Sequence, residues 1–106
     1  MHSIAKQVAE EYKLKLQELY GPEFDRLIVF GSYARDEYHS ESDLDFAIVI
    51  KRDKVSSREI YKTSDISAAL GLKYGIMLSN LPVSYTELQS SMQPIFQNIR
   101  QEGVVV

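Results

Sequence analysis

The sequence of 106 residues contains no cysteine, which excludes disulfide bonds, thiolate zinc sites and cysteine nucleophiles. It also lacks an apolar run approaching the roughly 20 residues of a membrane span, and charged residues interrupt the apolar positions of its N-terminus, unlike the core of a secretory signal. Basic residues are in deficit, with 12 Lys and Arg against 15 Asp and Glu. Proteins that grip a nucleic-acid backbone usually carry a basic excess. These absences predict a cytoplasmic protein without extensive contact to DNA or RNA.

The overall composition is that of a folded protein. Apolar residues make up 44% of the sequence and charged residues 25%, ordinary values for a globular chain and too apolar for a disordered one. A chain of this length can bury one hydrophobic core, and no internal repeat, low-complexity tract or Pro/Gly/Ser-rich linker divides it. We therefore expect a single domain over residues 1–106.

Hydrophobic periodicity predicts helices and short strands that together form an α/β or α+β sandwich with a small sheet. In the first helix, Tyr12, Leu16 and Leu19 are expected to form the core face. The predicted elements are a helix from residue 4 that ends at Gly21-Pro22, strands over 27–30 and 44–50, a helix over 57–74, a strand over 76–83, a helix from the capping box at 84–87, a helix from 94 to 103, and a short strand or free tail at 104–106.

Two acidic residues stand at the start of the second apolar run. Asp45 lies inside the predicted strand and Asp43 two positions before it, so both side chains point to the same face. Adjacent carboxylates repel each other, and burying one costs several kcal/mol unless it is paired or coordinated. A divalent cation would offset both the repulsion and the cost of burial. Two carboxylates with waters and phosphates are typical of Mg²⁺ sites. In the alternative interpretation, Asp43 caps a turn and Asp45 pairs with an arginine such as Arg35.

A glycine and a serine, Gly31 and Ser32, directly follow the first predicted strand. A glycine at this point lets another group approach the backbone closely. If a helical turn begins here, its free N–H groups and the serine hydroxyl suit an anionic phosphate. The alternative is a plain strand-to-helix turn in which Ser32 is the N-cap.

The combination of the two motifs is more specific than either alone. Gly31-Ser32, ten intervening residues and then Asp43-Leu44-Asp45, with a buried strand on each side, resembles the minimal nucleotidyltransferases of the DNA polymerase beta superfamily. The segment 72–103 also looks like the end of those domains, so the resemblance covers most of the chain. It implies the nucleotidyltransferase fold, a small mixed sheet covered on one side by helices.

The small stand-alone members of this superfamily to which the chain is similar are the MNT antitoxins, which are encoded beside HEPN-domain toxins. The resemblance implies Mg²⁺-dependent transfer of AMP from ATP to a hydroxyl of such a toxin. Carried over by position, Gly31 and Ser32 would hold the triphosphate, and Asp43 and Asp45 would bind Mg²⁺.

Two further residues of the motif receive roles from the same resemblance. Ser42, immediately before the first aspartate, would brace the carboxylates by hydrogen bonding. Arg35 would either contact phosphate or pair with a neighbouring carboxylate, and the second role is favoured.

The sequence departs from the superfamily pattern at two places. The superfamily carries a third carboxylate on the strand after the long helix, where it deprotonates the attacking hydroxyl. This chain has no acid there, and Gly75 or Met77 is expected at its position. Asp36 occupies a position more often held by glycine in the motif.

The missing acid leaves other functions open. One is a catalytically weak or inactive antitoxin that neutralises the toxin by forming a complex with it. A small-molecule nucleotidyltransferase of the aminoglycoside-modifying kind is disfavoured because the chain has no room for an acceptor domain. For the same reason we expect a partner protein to complete the site, and therefore a hetero-oligomer.

Overall fold

The computed structural model describes residues 2–106 and contains four α-helices and four β-strands within that range. A short 3₁₀ turn at 21–23 joins the first helix to the first strand. The helices are α1 (Ser3–Tyr20), α2 (Arg58–Tyr74), α3 (Tyr85–Ser90) and α4 (Pro94–Glu102), and the strands are β1 (Phe24–Phe30), β2 (Leu44–Ile50), β3 (Leu78–Ser84) and β4 (Val104–Val105).

The four strands form one mixed sheet in the order β3-β2-β1-β4. β1 runs antiparallel to both β2 and β4, whereas β2 and β3 are parallel. Parallel neighbours need a long crossover connection, and α2 supplies it. The register places Asp45 of β2 between Phe30 of β1 and Ser79 of β3. The predicted α/β class with a small mixed sheet is confirmed.

Side chains alternate along the strands and divide the core between the two faces of the sheet. On one face, Phe46 and Ile48 pack with α1 and α2 in the larger apolar cluster. On the other face, Ala47 and Val49 pack with residues of α3 and α4. The expectation that helices cover one side of the sheet is therefore incomplete, because two short helices also lie on the second side. Asp45 shares this second face with Ala47 and Val49.

Helix α1 packs through residues spaced four apart. Val8, Tyr12 and Leu16 are fully buried and Tyr20 nearly so. Leu19 is 41% exposed, so its predicted place in the core is wrong: the spacing of four carries the buried stripe to Tyr20 instead. Within residues 2–106, no helix combines the length and the apolarity needed to cross a bilayer.

A buried polar network lies at the end of the sheet far from Asp45. The carboxylate of Glu59 is 3% exposed and accepts hydrogen bonds from the Tyr20 hydroxyl (2.8 Å) and from the Arg52 guanidinium (3.0 Å). Arg52 also donates two hydrogen bonds to Glu23, of 2.7 and 2.9 Å. Burial raises the pKa of Glu59, but the hydrogen bonds from Tyr20 and Arg52 outweigh it, and the pKa lies below its usual value.

Candidate functional site

The two motifs predicted from the sequence meet at one end of the two central strands, β1 and β2. Gly31 follows β1 with φ of +75°, and a methyl group built on it would overlap Oδ2 of Asp45 and come within 3.2 Å of Cγ. Only glycine combines this backbone conformation with so close an approach. The carboxylate of Asp45 therefore rests directly on the backbone of the Gly31-Ser32 turn.

The chain after Gly31 makes one isolated helical turn. The N–H of Arg35 donates to the carbonyl of Gly31 (3.2 Å), and the N–H of Glu37 donates to the carbonyl of Ser32 (2.9 Å). Because the hydrogen bonds of this turn begin at Arg35, they do not use the N–H groups of Ser32 or Tyr33. Such N–H groups are suited to bind an anion. The alternative in which Ser32 caps a regular helix is wrong, since no helix follows it.

Asp36 ends this turn in the left-handed region, with φ of +55°. Residues other than glycine seldom adopt this conformation, and aspartate and asparagine tolerate it best. The backbone thus explains the glycine preference that the resemblance assigned to this position. The departure at Asp36 concerns the backbone conformation, and the turn at Gly31-Ser32 is formed with aspartate at this position.

The surroundings of Asp45 change the pKa of its carboxyl group. Burial raises the pKa of Asp45, and the charge of Asp43 raises it further, while hydrogen bonding to Ser79 and the charge of Arg35 act in the opposite direction. The net pKa lies above its usual value, which means that the folded protein disfavours the ionised form. The side chains of Asp43 and Asp45 are oxygen donors of the kind that fit Mg²⁺, which binds through one or two carboxylates together with phosphates and waters.

Arg35 forms its ion pairs elsewhere. Its Nε donates to Glu37 (3.1 Å) and its Nη1 donates to Glu102 at the end of α4 (3.0 Å). The alternative in which Asp45 is neutralised by pairing with Arg35 is therefore wrong. The favoured expectation that Arg35 pairs with a neighbouring carboxylate is confirmed, with Glu37 and Glu102 as the partners.

Ser42 organises the loop in front of Asp43. Its hydroxyl accepts a hydrogen bond from the N–H of His39 (2.9 Å), and its own N–H donates to the His39 carbonyl (3.0 Å). The predicted hydrogen bond from Ser42 to the carboxylates is replaced by this closed turn. Tyr38, in the same loop, stacks on Tyr33 with ring centroids 4.6 Å apart. These contacts hold the loop together, and the hydrogen bonds of Ser42 lie within it.

The position next to Asp45 on the third strand is occupied by Ser79. Asp45 and Ser79 are paired in the parallel register of β2 and β3. Gly75 instead ends α2 in a left-handed conformation, and Met77 precedes β3 and is 69% exposed. The assignment of the missing third carboxylate to Gly75 or Met77 is corrected to Ser79. Within residues 2–106, no cluster of three or more histidine or acidic side chains could hold a metal ion.

The comparison with known families decides the class of the chain. The family description "nucleotidyltransferase domain" matches residues 9–95. The chain belongs to this nucleotidyltransferase domain family. The match runs from within α1 to the start of α4, so it includes every predicted site residue.

Individual relatives agree with the family. A protein of Methanocaldococcus jannaschii named as a candidate protein adenylyltransferase is 35% identical over 79 residues, which are 74% of this chain and 77% of that protein. A solved toxin-antitoxin structure with AMP-PNP superposes with a TM-score of 0.63 at 19% identity, over 91% of this chain and 70% of the other. A tri-AMPylated Shewanella oneidensis HEPN toxin in complex with an MNT antitoxin gives a TM-score of 0.58 at 15% identity, over 95% and 70%. These structures share the nucleotidyltransferase fold of this chain.

Proposed function

We propose that this protein transfers AMP from ATP to a hydroxyl group of a partner protein of the HEPN class, in a Mg²⁺-dependent reaction. The observation that carries the proposal is the contact between Gly31 and the carboxylate of Asp45. It brings a turn suited to phosphate and a pair of carboxylates suited to a divalent cation into a single site.

The comparisons support this function by similarity. The relative that shares 35% identity is named as a protein adenylyltransferase candidate, and a structural neighbour is an MNT antitoxin bound to an AMPylated toxin. By analogy, residues 1–106 would form one minimal domain, the partner would be a toxin that completes the site, and the complex would be a cytoplasmic hetero-oligomer. An acidic protein without a basic excess fits a protein acceptor better than a nucleic-acid one.

The residues of the site have separate roles in this reaction. Ser32 and the N–H groups of its turn hold the triphosphate, and Arg35 adds a positive charge beside it. Asp43 and Asp45 would hold Mg²⁺, which when bound supplies neutralisation of the charge on the phosphates. The acceptor oxygen forms a bond to the α-phosphorus, the bond to the β-phosphate oxygen breaks, and pyrophosphate leaves. Positioning and electrostatics provide most of the rate in such transfers.

The site lacks an acidic residue on β3 that could accept the proton of the attacking hydroxyl. In the register of the sheet, the residue beside Asp45 that could carry a general base is Ser79, whose hydroxyl is not basic at neutral pH. A positioned general base contributes roughly 10²–10⁴-fold to a rate. This observation favours a second candidate function, an antitoxin that neutralises its partner mainly by binding it. If the protein does transfer AMP, the proton of the acceptor hydroxyl would pass to water or to a group on the partner.

The test is transfer of labelled AMP to the protein encoded beside this one, with mass spectrometry to locate the modified residue. We expect transfer by the wild type, and little or none by Asp43→Ala, Asp45→Asn and Ser32→Ala. Asp65→Ala, which removes an exposed carboxylate on α2, is the matched control and should transfer normally. If the wild type transfers nothing but still neutralises the partner, and Asp43→Ala neutralises it equally well, the binding function is correct and the transferase is not.

A further inference from the structure

Arg35 is held from two sides by carboxylates that the sequence motif does not include. Glu37, two residues further along the same loop, accepts from Nε, and Glu102, 67 residues away, accepts from Nη1. The backbone of Arg35 is itself tied to the site, because its N–H donates to Gly31. The guanidinium is thus fixed relative to the turn on which Asp45 rests.

Glu102 lies on a well-fixed part of the fold. Ile99, one turn before it, is 2% exposed, and β4 begins two residues after it and pairs with β1. A side chain at Gly103 would overlap both the Ile99 carbonyl and Ile28 of β1, so the chain here is packed tightly against the sheet. The backbone that carries Glu102 is therefore held in place by its packing against the sheet. The side chain of Glu102 is 27% exposed, whereas that of Glu37 is 67% exposed.

The end of α4 is an unfavourable place for a carboxylate. The C-terminus of a helix carries partial negative charge, and a glutamate in the last turn adds to it. Glu102 is the last residue of α4. Helix stability therefore does not account for this residue, whereas its contact with Arg35 does.

We propose that Glu102 is a positioning residue of the nucleotide site, which together with Glu37 fixes the guanidinium of Arg35 so that its remaining donors serve the triphosphate. This inference rests on the proposed function. A guanidinium has five N–H donors in a planar fork, and the two carboxylates occupy two of them. Three donors remain, enough for the paired hydrogen bonds that arginine makes with phosphate.

The competing explanation is that Glu102 blocks Arg35 and must be displaced by the nucleotide. The two explanations make opposite predictions for the side chain of Glu102. A positioning role needs the acceptor oxygen, and the negative charge is only a cost because it repels the triphosphate. A blocking role needs the charge, so any neutral replacement should improve nucleotide binding. Glutamine keeps the oxygen without the charge, and alanine removes both.

The test is the affinity of the full chain for ATP in the presence of Mg²⁺, measured by calorimetry. We expect Glu102→Ala to bind ATP about threefold or more weakly than Glu102→Gln, in the range typical of exposed charged contacts. Glu37→Ala, which removes the more exposed carboxylate, should have a smaller effect. In an Arg35→Ala background the difference between Glu102→Ala and Glu102→Gln should vanish. Equal affinities of the two variants, or tighter binding by both than by the wild type, would overturn the proposal.

A second readout examines the position of Arg35 without nucleotide. The ¹H–¹⁵N signals of the Arg35 Nη1 protons, one of which donates to Glu102, should be protected from exchange in the wild type and in Glu102→Gln, and should broaden in Glu102→Ala. Unchanged Nη1 signals in Glu102→Ala would contradict the inference. Transfer of AMP to the partner is measured separately. If wild type binds ATP and the Glu102 variants differ as expected while no AMP is transferred, the inference stands and the proposed transferase function fails.

Discussion

Replacement of Gly31 by alanine tests directly whether the two motifs share one site. The backbone at Gly31 has φ of +75°, a conformation that costs an L-residue on the order of 1 kcal/mol. The new methyl group would also overlap Oδ2 of Asp45, and such overpacking costs about 1–3 kcal/mol. We expect the free energy of unfolding to fall by about 2–4 kcal/mol, the sum of these two costs.

Two other variants separate the two costs. Gly75→Ala has nearly the same backbone conformation (φ +67°) with nothing within 4 Å of the new methyl group, so it should lose only the backbone part, about 1 kcal/mol. In an Asp45→Ala background the carboxylate is gone, and Gly31→Ala should then cost no more than Gly75→Ala.

Urea titration followed by far-ultraviolet circular dichroism measures all of these variants on one scale. The reasoning is refuted if Gly31→Ala and Gly75→Ala are equally destabilising, or if the cost of Gly31→Ala persists after Asp45 is removed.

Three further outcomes are expected. Asp36→Gly should be more stable than Asp36→Ala by about 1 kcal/mol in the same titration, because both lose the side chain and only glycine relieves the left-handed backbone. Arg52→Met should destabilise the protein by about 2 kcal/mol at neutral pH, the size of a hydrogen bond to a charged group, because buried Glu59 loses the guanidinium and keeps the Tyr20 hydroxyl. Since the pKa of Glu59 is lowered in the folded state, this loss should be complete above pH 4.5 and shrink as the pH falls through the folded pKa, as acid titrations of stability will show. Ser79→Asp, with Ser79→Asn as control, should raise AMP transfer by roughly 10²-fold if a general base is what the site lacks; equal rates in both variants would contradict this.

Structural features that depend on residues close together in the sequence were predictable. The strand around Asp45 was predicted with the bounds that the structure has, because its apolar run is short and bounded by polar residues. The capping box was also predicted, and the Ser84 hydroxyl accepts from the N–H of Glu87 as expected. Burial along α1 was harder to predict. Leu19 and Tyr20 both have large nonpolar groups, and the direction in which the buried stripe turns around α1 decides which of them lies in the core.

Structural features that depend on contacts between distant segments could not be predicted from the sequence. The assignment of Ser79 depends on the register between two parallel strands, which the sequence does not specify residue by residue. The contact between Arg35 and Glu102 joins residues 67 positions apart, and nothing local marks Glu102 as part of the site. For the site itself, the missing information was therefore the pairing of strands and the docking of α4.

The register of β1 on β2 has a consequence for how the signature motif varies. Phe30 is paired with Asp45, so the hydrogen bonds of the sheet, rather than the connecting loop, hold the turn against the carboxylate. A change in the length of the loop would cost the contacts inside it, such as the His39–Ser42 turn and the Tyr33–Tyr38 stack, but it would leave the pairing of the two strands in place. The two paired strands and the glycine that ends the first of them are therefore the part of the signature that holds the turn against the carboxylate.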